Sequence, residues 1–422
     1  MENRPPRSRA GAPAPLLLIL LSAAYCMAYI DRLMMAVVAE PVKQAFALSD
    51  TQLFLLTGAA FVVIYGIVGA LSGALLDRWS RRKLVILSLG AWSLCTVACG
   101  FAGNFWQLAL ARAGVGVGEA AIVPAAISLI SDTYPPERRP LAMAIFYAGG
   151  MAGILLAWMI GGWIASAYGW RPAFFLAGPP GLIVGLLILW RGEDPPREAA
   201  PVAATSGGST FRVVWCNRPL VWLIGAGSVV TFVNIGLVNQ LGSFFIRSHG
   251  MSVREVGLIF GPLMAGGMAC GLIGGGWIGN RLAAHGDTDV LIRFSLWNTL
   301  ALFPLYMLIF LVPSKTLALA ATFVGTSISV LYSPCYSAAY QAISAPHTRA
   351  TAAGISSCAN ALIGSALATF LVGMLSDHWK PLYGADSLRY AMMAGMVTCL
   401  LSALMFLRAR ALLARESGIR LR

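Results

Sequence analysis

Two carboxylates and two guanidiniums stand inside runs that are otherwise hydrocarbon. Asp31 and Arg32 are neighbours within AAYCMAYIDRLMMAVV, and Arg112 and Glu119 lie seven residues apart within LALARAGVGVGEAAIV. An ionisable side chain at the centre of a bilayer costs at least about 2.5–3.5 kcal/mol on insertion scales, so it faces a partner or a wet cavity and marks a functional site. Burial and a neighbouring cation pull the protonation of a carboxylate in opposite directions. A proton-coupling group needs that balance if it is to load from one side and unload to the other, which makes Asp31 and Glu119 the coupling candidates. Arginine is always charged and holds a carboxylate or phosphate bidentately. Arg32 and Arg112 are therefore the candidates for an anionic substrate head. Arg112 and Glu119 are about two helical turns apart, roughly 10 Å along the axis, so they share a face without neutralising each other. Arg32 is suited to bind an anion or to switch between Asp31 and Glu119. A fixed structural ion pair is the bland alternative for all four residues.

The elements that must position these groups are membrane helices. Of 422 residues, 58% are apolar and 11% charged, against about 25% charged in ordinary soluble domains. That composition excludes a soluble enzyme, a nucleic-acid binder and a disordered chain. A crossing of about 30 Å needs roughly 20 mainly apolar residues. The stretches that meet this are Pro15–Val38, Leu53–Leu76, Leu84–Gly103, Trp106–Ile130, Pro140–Ala167, Ala173–Trp190, Leu220–Ile246, Glu255–Gly279, Val290–Val312, Thr316–Gln341, Arg349–Ser376 and Leu388–Leu407. They predict an all-α membrane protein of twelve transmembrane helices. With the N-terminus in the cytoplasm, 21 of the 30 basic residues fall on the cytoplasmic side and seven on the other, with Arg32 and Arg112 inside spans. The positive-inside rule then puts both termini in the cytoplasm. Seven of the eight cysteines lie in apolar spans, where a thiol packs as a small hydrophobe. The four histidines sit near loops, so no metal site and no cofactor are expected.

Order along the chain divides it into two six-helix bundles, 1–190 and 219–422. They are joined by a cytoplasmic linker at 191–218, whose EDPPREAAPVAATSGGS is linker chemistry. The halves echo each other. GALLDR, from Gly73 to Arg78, matches GWIGNR, from Gly276 through Asn280 to Arg281. Tyr29-Ile30-Asp31 aligns with Phe232-Val233-Asn234, and PERR ending at Arg139 aligns with PHTR ending at Arg349. Six-plus-six repeats are the architecture of secondary transporters. The second half offers uncharged polar candidates for the substrate: Asn234, Asn239 and Gln240, then Tyr332, Ser333, Tyr336 and Tyr340, and Asn360; Tyr29 joins them from the first half. Ser329 stands where the repeat would place a second Glu119. One-sided charge suits an amphiphile whose head binds one bundle and whose apolar part rests on the other.

Several motifs carry a family likeness. GALLDRWSRRK, from Gly73 to Lys83, resembles the signature between the second and third helices of the major facilitator superfamily, with Ser80 at its usual second glycine. ARAGVGVGEAA resembles that superfamily's fourth-helix motif. YIDR, ALSDTQLFLLTGAAF, GVGEA and SDTYPPERRPLAMAIFYAGG look most like bacterial spinster-like transporters. The resemblance implies first and fourth helices lining a central cavity, and a gate formed by Gly73, Asp77, Arg78, Arg81, Arg82, Arg139, Asn280, Arg281 and Arg349. Asp77 would hold the N-terminus of the eleventh helix in the outward-facing state, by attraction to the helix dipole. It also implies a multi-pass, monomeric protein of the bacterial inner membrane, embedded in lipid, that moves a small lipid-like solute with protons. Organic anions (carboxylates or sugar acids) and drugs are the alternative substrates. No phosphate-binding G-x-x-x-x-G-K-[ST] loop supports a primary pump, no repeated filter a channel, and no nucleophile–base pair an enzyme.

Overall fold

The computed structural model describes residues 14–78, 80–135, 138–191, 207–284, 288–345 and 348–417, without the side chains of 14, 70–78, 140, 207–211, 283, 350, 416 and 417. Every regular element among them is helical. Eleven helical runs are long and apolar enough to cross a membrane, and ten of them coincide in order with the first ten expected stretches. The chain is a multi-pass integral membrane protein. Large apolar side chains such as Ile19, Leu94, Leu110, Ile273 and Leu404 point outward, as lipid contact requires.

The last run, Thr351–Arg415, has 65 residues and would measure roughly 100 Å as a straight helix. It folds back instead. The helix ends at Tyr383, Gly384 takes φ +55°, one 3₁₀ turn follows at Gly384–Asp386, and helix resumes at Ser387. The turn is so short that helix runs from the 349–383 limb into the 387–417 limb with only these three residues between them.

Local chemistry sets the helix starts, and it repeats. A reciprocal capping box, Ser49 with Gln52, begins the second span, and Ser252 with Glu255 begins the eighth. Each satisfies two orphan backbone donors. Asn104 caps the fourth span and Ser314 the tenth. Helix pairing repeats as well. The first span packs on the fifth as the seventh packs on the 349–383 limb. The second packs on the fourth as the eighth on the tenth, and the third on the sixth as the ninth on the 387–417 limb. Small residues permit these approaches: a Cβ on Gly150 would lie 2.7 Å from the Tyr25 ring and 2.9 Å from the Tyr29 ring.

The helices are interrupted where the halves meet. Single π-helical stretches occur at Leu55–Ala59, Phe232–Leu237, Val256–Phe260 and Asn360–Leu367, and the fourth span breaks between Glu119 and Ile122. Such bulges turn side chains off the regular helical face and cluster at functional sites.

Candidate functional site

A cavity of about 380 Å³ lies between the halves, walled by the first, second and fifth spans on one side and by the seventh, eighth and 349–383 limb on the other. Its apolar wall includes Leu33, Phe61, Met151, Ile154, Met264 and Met268. Its amides come from the second half: Asn234, Asn239 and Asn360. Asn234 and Asn360 both sit on π-helical stretches. Arg32 is the charged residue among the described lining.

Arg32 is held from two directions. Its guanidinium donates to Glu119 at 2.8 Å; the Arg32 side chain is 26% exposed and Glu119 fully buried. The rings of Tyr29, Phe61 and Tyr65 lie 4.9–5.1 Å from its central carbon, within range of cation–π attraction. One Glu119 oxygen takes Arg32, while Oε1 has no hydrogen-bond partner. The glycines of GVGEA explain how Glu119 reaches this place. A Cβ on Gly116 would lie 2.8 Å from the Phe61 carbonyl oxygen, and one on Gly118 would lie 2.7 Å from the Trp92 backbone nitrogen. Glycine at both positions lets the second and third spans close on the fourth.

Arg112 does other work. It is buried outside the cavity lining, donates to the backbone carbonyls of Asp31 at 3.0 Å and Arg32 at 3.4 Å, and stacks near Phe61. It thus ties the fourth span to the first at the acid–base pair rather than offering a cation to the cavity. Asp31 is 1% exposed and neither carboxylate oxygen closes a hydrogen bond. Tyr332 and Tyr336 are also set behind the lining. The Tyr332 hydroxyl faces Thr231 and Asn234, and the Tyr336 hydroxyl shares a 2.8 Å bond with Ser356. The structure therefore gathers Tyr29, Arg32, Asn234 and Asn360 at the cavity, Glu119 at its edge, and Asp31, Arg112, Tyr332 and Tyr336 behind it.

A second constellation closes one end of the interface. On the face away from the arginine-rich turns, Arg247 makes a two-pronged pair with Asp50 at 2.8 Å and reaches Glu40 at 2.7 Å. Lys43 also pairs with Asp50, and Ser376 donates to it at 2.5 Å. Asp377 accepts from the backbone amides of Asp50 and Thr51 at 2.7 and 2.8 Å, and from the Thr51 hydroxyl at 2.6 Å. A carboxylate from the second half thus caps the N-terminus of a helix in the first half. Around it the backbones touch: a Cβ on Gly162 would lie 2.7 Å from Gly257 Cα, and one on Gly373 would lie 2.8 Å from the Asp50 carbonyl oxygen.

The arginine-rich face is organised differently. Arg81 pairs with Asp132 and donates to Ser128 at 3.0 Å, and Arg82 donates to the carbonyls of Ile188 and Leu189. These described partners belong to the same half as the arginines that hold them. Arg139 donates to the Tyr134 carbonyl, Arg349 to that of Gln341, and Arg281 lies 3.7 Å from the Trp277 ring centroid. Asn280 is exposed near the end of its helix. Gly73, Asp77 and Arg78 lie outside the described side chains.

Sequence reading did not single out Thr57, Phe61 and Tyr65, since a lone threonine or an aromatic residue in an apolar helix carries no signal of its own. Nor did it single out Glu40, Asp50 and Arg247, which lie just outside the expected apolar stretches.

Comparison with known proteins agrees with this geometry. The family model described as "Major Facilitator Superfamily" matches residues 21–369. An "MFS-type efflux pump" of Mycolicibacterium smegmatis is 30% identical over 372 residues, covering 86% of this chain and 85% of that protein. The sphingosine-1-phosphate transporter of Danio rerio is 25% identical over 417 residues, covering 92% of this chain and 82% of that protein. The solved structure of a bacterial homologue of the human lysosomal transporter spinster, inward-facing and unoccupied, superposes with a TM-score of 0.85. It is 28% identical and covers 94% of this chain and 97% of that one.

Proposed function

The chain belongs to the major facilitator superfamily, where it is a spinster-like transporter, and from that premise we propose that it moves an anionic, lipid-like amphiphile by proton-coupled alternating access. The observation that carries the reading is the Arg32–Glu119 pair at the wall of a cavity whose other described lining residues are uncharged. Arg32 neutralises one anion at a time. With the cavity empty, that anion is Glu119. An incoming phosphate or carboxylate head takes Arg32, and the released, buried Glu119 takes a proton, because an unpaired charge there is costly. The acyl or sphingoid part lies along Phe61, Met151, Ile154, Met264 and Met268. The amides of Asn234, Asn239 and Asn360 favour a second reading, an organic anion such as a sugar acid with hydroxyls to bind.

In this proposal 1–190 and 219–422 are the two rocking bundles, together twelve crossings with both ends in the cytoplasm of a bacterium, and 191–218 is their link. The protein works as a monomer in lipid without a cofactor. The present conformation is closed on the side away from the cytoplasm, with Asp377 on the N-terminus of the second span as its latch. The second span and the 349–383 limb run in opposite directions across the membrane. Asp77, at the other end of the second span, is the matching latch on the helix that starts at Arg349, and it engages when the cytoplasmic side closes. Gly73, Arg78, Arg81, Arg82, Arg139, Asn280 and Arg281 surround that second gate.

The test is thermal unfolding of the purified chain with a lysophosphatidic acid, a neutral monoacylglycerol and a hexuronate in parallel. A ligand that binds only the folded form raises the midpoint. The proposal expects stabilisation by the lysophosphatidic acid, none by the neutral lipid, and loss of the effect in Arg32→Ala. Stabilisation by the hexuronate alone supports the second reading.

A further inference from the structure

Asp31 is not explained by the cavity. It lies behind the lining, 1% exposed, and both of its carboxylate oxygens lack a hydrogen-bond partner. Arg112, the cation beside it, gives one nitrogen to Asp31's own backbone carbonyl and another to that of Arg32. The third span faces the carboxylate instead. Trp92 and Thr96, four residues apart and so on one helical face, point at Asp31. Trp92 Nε1 and Thr96 Oγ1 are themselves buried without a partner, as are neighbouring Ser93 Oγ and Arg112 Nε. The packing leaves them room: a Cβ on Gly181 of the sixth span would lie 3.4 Å from Trp92 Nε1 and would collide with Ser93 Oγ. Such a concentration of unsatisfied buried polar atoms is rare in folded proteins.

We propose that Trp92 and Thr96 are positioning residues that receive the charged form of Asp31. When Asp31 is protonated it lies as seen here, closing no bond with them. When it loses the proton, its oxygens accept hydrogen bonds from Trp92 Nε1 and Thr96 Oγ1, so the third span sets the pH at which Asp31 loads. The surrounding groups also weigh on the ion. Thr96 Oγ1 and Ser93 Oγ can accept, but the indole N–H and the guanidinium beside them are pure donors, whereas a hard metal cation needs oxygen acceptors all around it. That mixture favours a proton over sodium.

The other titratable and charged groups near Asp31 are few. Arg112 and Glu119 face it from the fourth span and Cys99 from the third, and Arg32 adjoins it in the chain. The second span's Tyr65 faces Arg32. The fifth span, packed against the first, has no charged residue between Leu141 and Tyr168, and its Tyr147 lies toward Tyr29. The sixth has Arg171 and Arg191 only at its ends, and the helix after Glu119 has Asp132, which pairs with Arg81.

The inference rests on the reading of Asp31 as a proton carrier, and one experiment separates the two. The full chain in lipid nanodiscs is titrated with acid, the proton itself being the probe, and the infrared C=O band of a protonated carboxyl is followed. The band belonging to Asp31 is assigned by its loss in Asp31→Asn. Thr96→Val and Trp92→Phe are each expected to move its midpoint about one pH unit higher, the worth of one hydrogen bond to a charged group. Thr96→Ser is expected to restore the wild-type midpoint, and added sodium to leave it unmoved. Thr96→Val changes shape so little that it remains informative if Trp92→Phe fails to fold. A titrating Asp31 band with an unmoved midpoint in Thr96→Val overturns the role of the third span while leaving Asp31 as a carrier. An Asp31 band that never titrates overturns both. A midpoint displaced by sodium overturns the selectivity.

Discussion

The two ends of the interface between the halves both carry ion pairs, and the pairs among the described residues run differently at each. At the closed end, Glu40, Lys43 and Asp50 of the first half share Arg247, Ser376 and Asp377 of the second. On the arginine-rich face, the pairs between described residues stay within one half: Arg81 with Asp132, and Arg410 with Asp289 at 2.5 Å. Among the described residues the contrast lies in where the partners stand: mainly across the interface at the closed end, and on the same side in these two pairs. The closed end adds glycine contacts such as Gly162 on Gly257, which let the backbones approach closely enough to bury the ions. A buried pair of this kind contributes little net stability but costs a great deal to break on one side, and that asymmetry suits a latch.

Removing Arg247 breaks the contrast most severely. Arg247→Ala leaves Glu40 without its cation and Asp50 with Lys43 alone, and breaking a buried pair on one side costs up to about 3–5 kcal/mol. The closed end is expected to open, shifting the population by a factor on the order of 10² or more. Maleimide labelling of Asn239→Cys from that face, in a background with the eight native cysteines replaced, measures it. Gly257→Ala comes next. Its Cβ would lie 2.6 Å from the Trp158 carbonyl oxygen and 2.9 Å from Gly162 Cα, and overpacking of this kind costs about 1–3 kcal/mol. The same labelling is expected to rise about 5- to 150-fold.

The two aspartates sharpen the comparison because they should act in opposite directions. Asp377→Asn removes charge from the N-terminus of the second span, where a charge–dipole contact is worth about 0.3–2 kcal/mol. Labelling from the closed face is expected to increase by about 2- to 30-fold. Asp77→Asn removes the same kind of charge–dipole contact at the opposite end, within the same range. It should lower access from the face that Asp377→Asn opens, and raise access from the cytoplasmic face. Changes of the same sign in both variants would contradict the paired latches.

Much of this architecture was legible in the chain, for reasons that can be stated residue by residue. Membrane helices announce themselves by length and hydropathy. The repeat announced itself through Asp31 over Asn234 and Glu119 over Ser329, and the matched capping boxes at Ser49 and Ser252 follow the same alignment. Arg32 and Glu119 were conspicuous because charge in hydrocarbon is expensive. The reversal at Gly384 was placed correctly as a gap between apolar stretches, although helix continues almost through it. The roles of the two internal arginines were not separable, because the side toward which each points depends on the rotation of its helix. Nor were the partners of Asp50 and Asp377 in the opposite half, which come from more than 190 residues away in the chain and meet only when the halves close.

The exchange of Arg32 between Glu119 and a substrate anion is tested most directly by counting protons on binding. Titration of the purified chain with a lysophosphatidic acid, in buffers of differing ionisation enthalpy, gives the number taken up per ligand. The account predicts uptake close to one proton in the wild-type protein, abolished in Glu119→Gln with binding retained. Binding without proton uptake in the wild type, or uptake undiminished in Glu119→Gln, would contradict it.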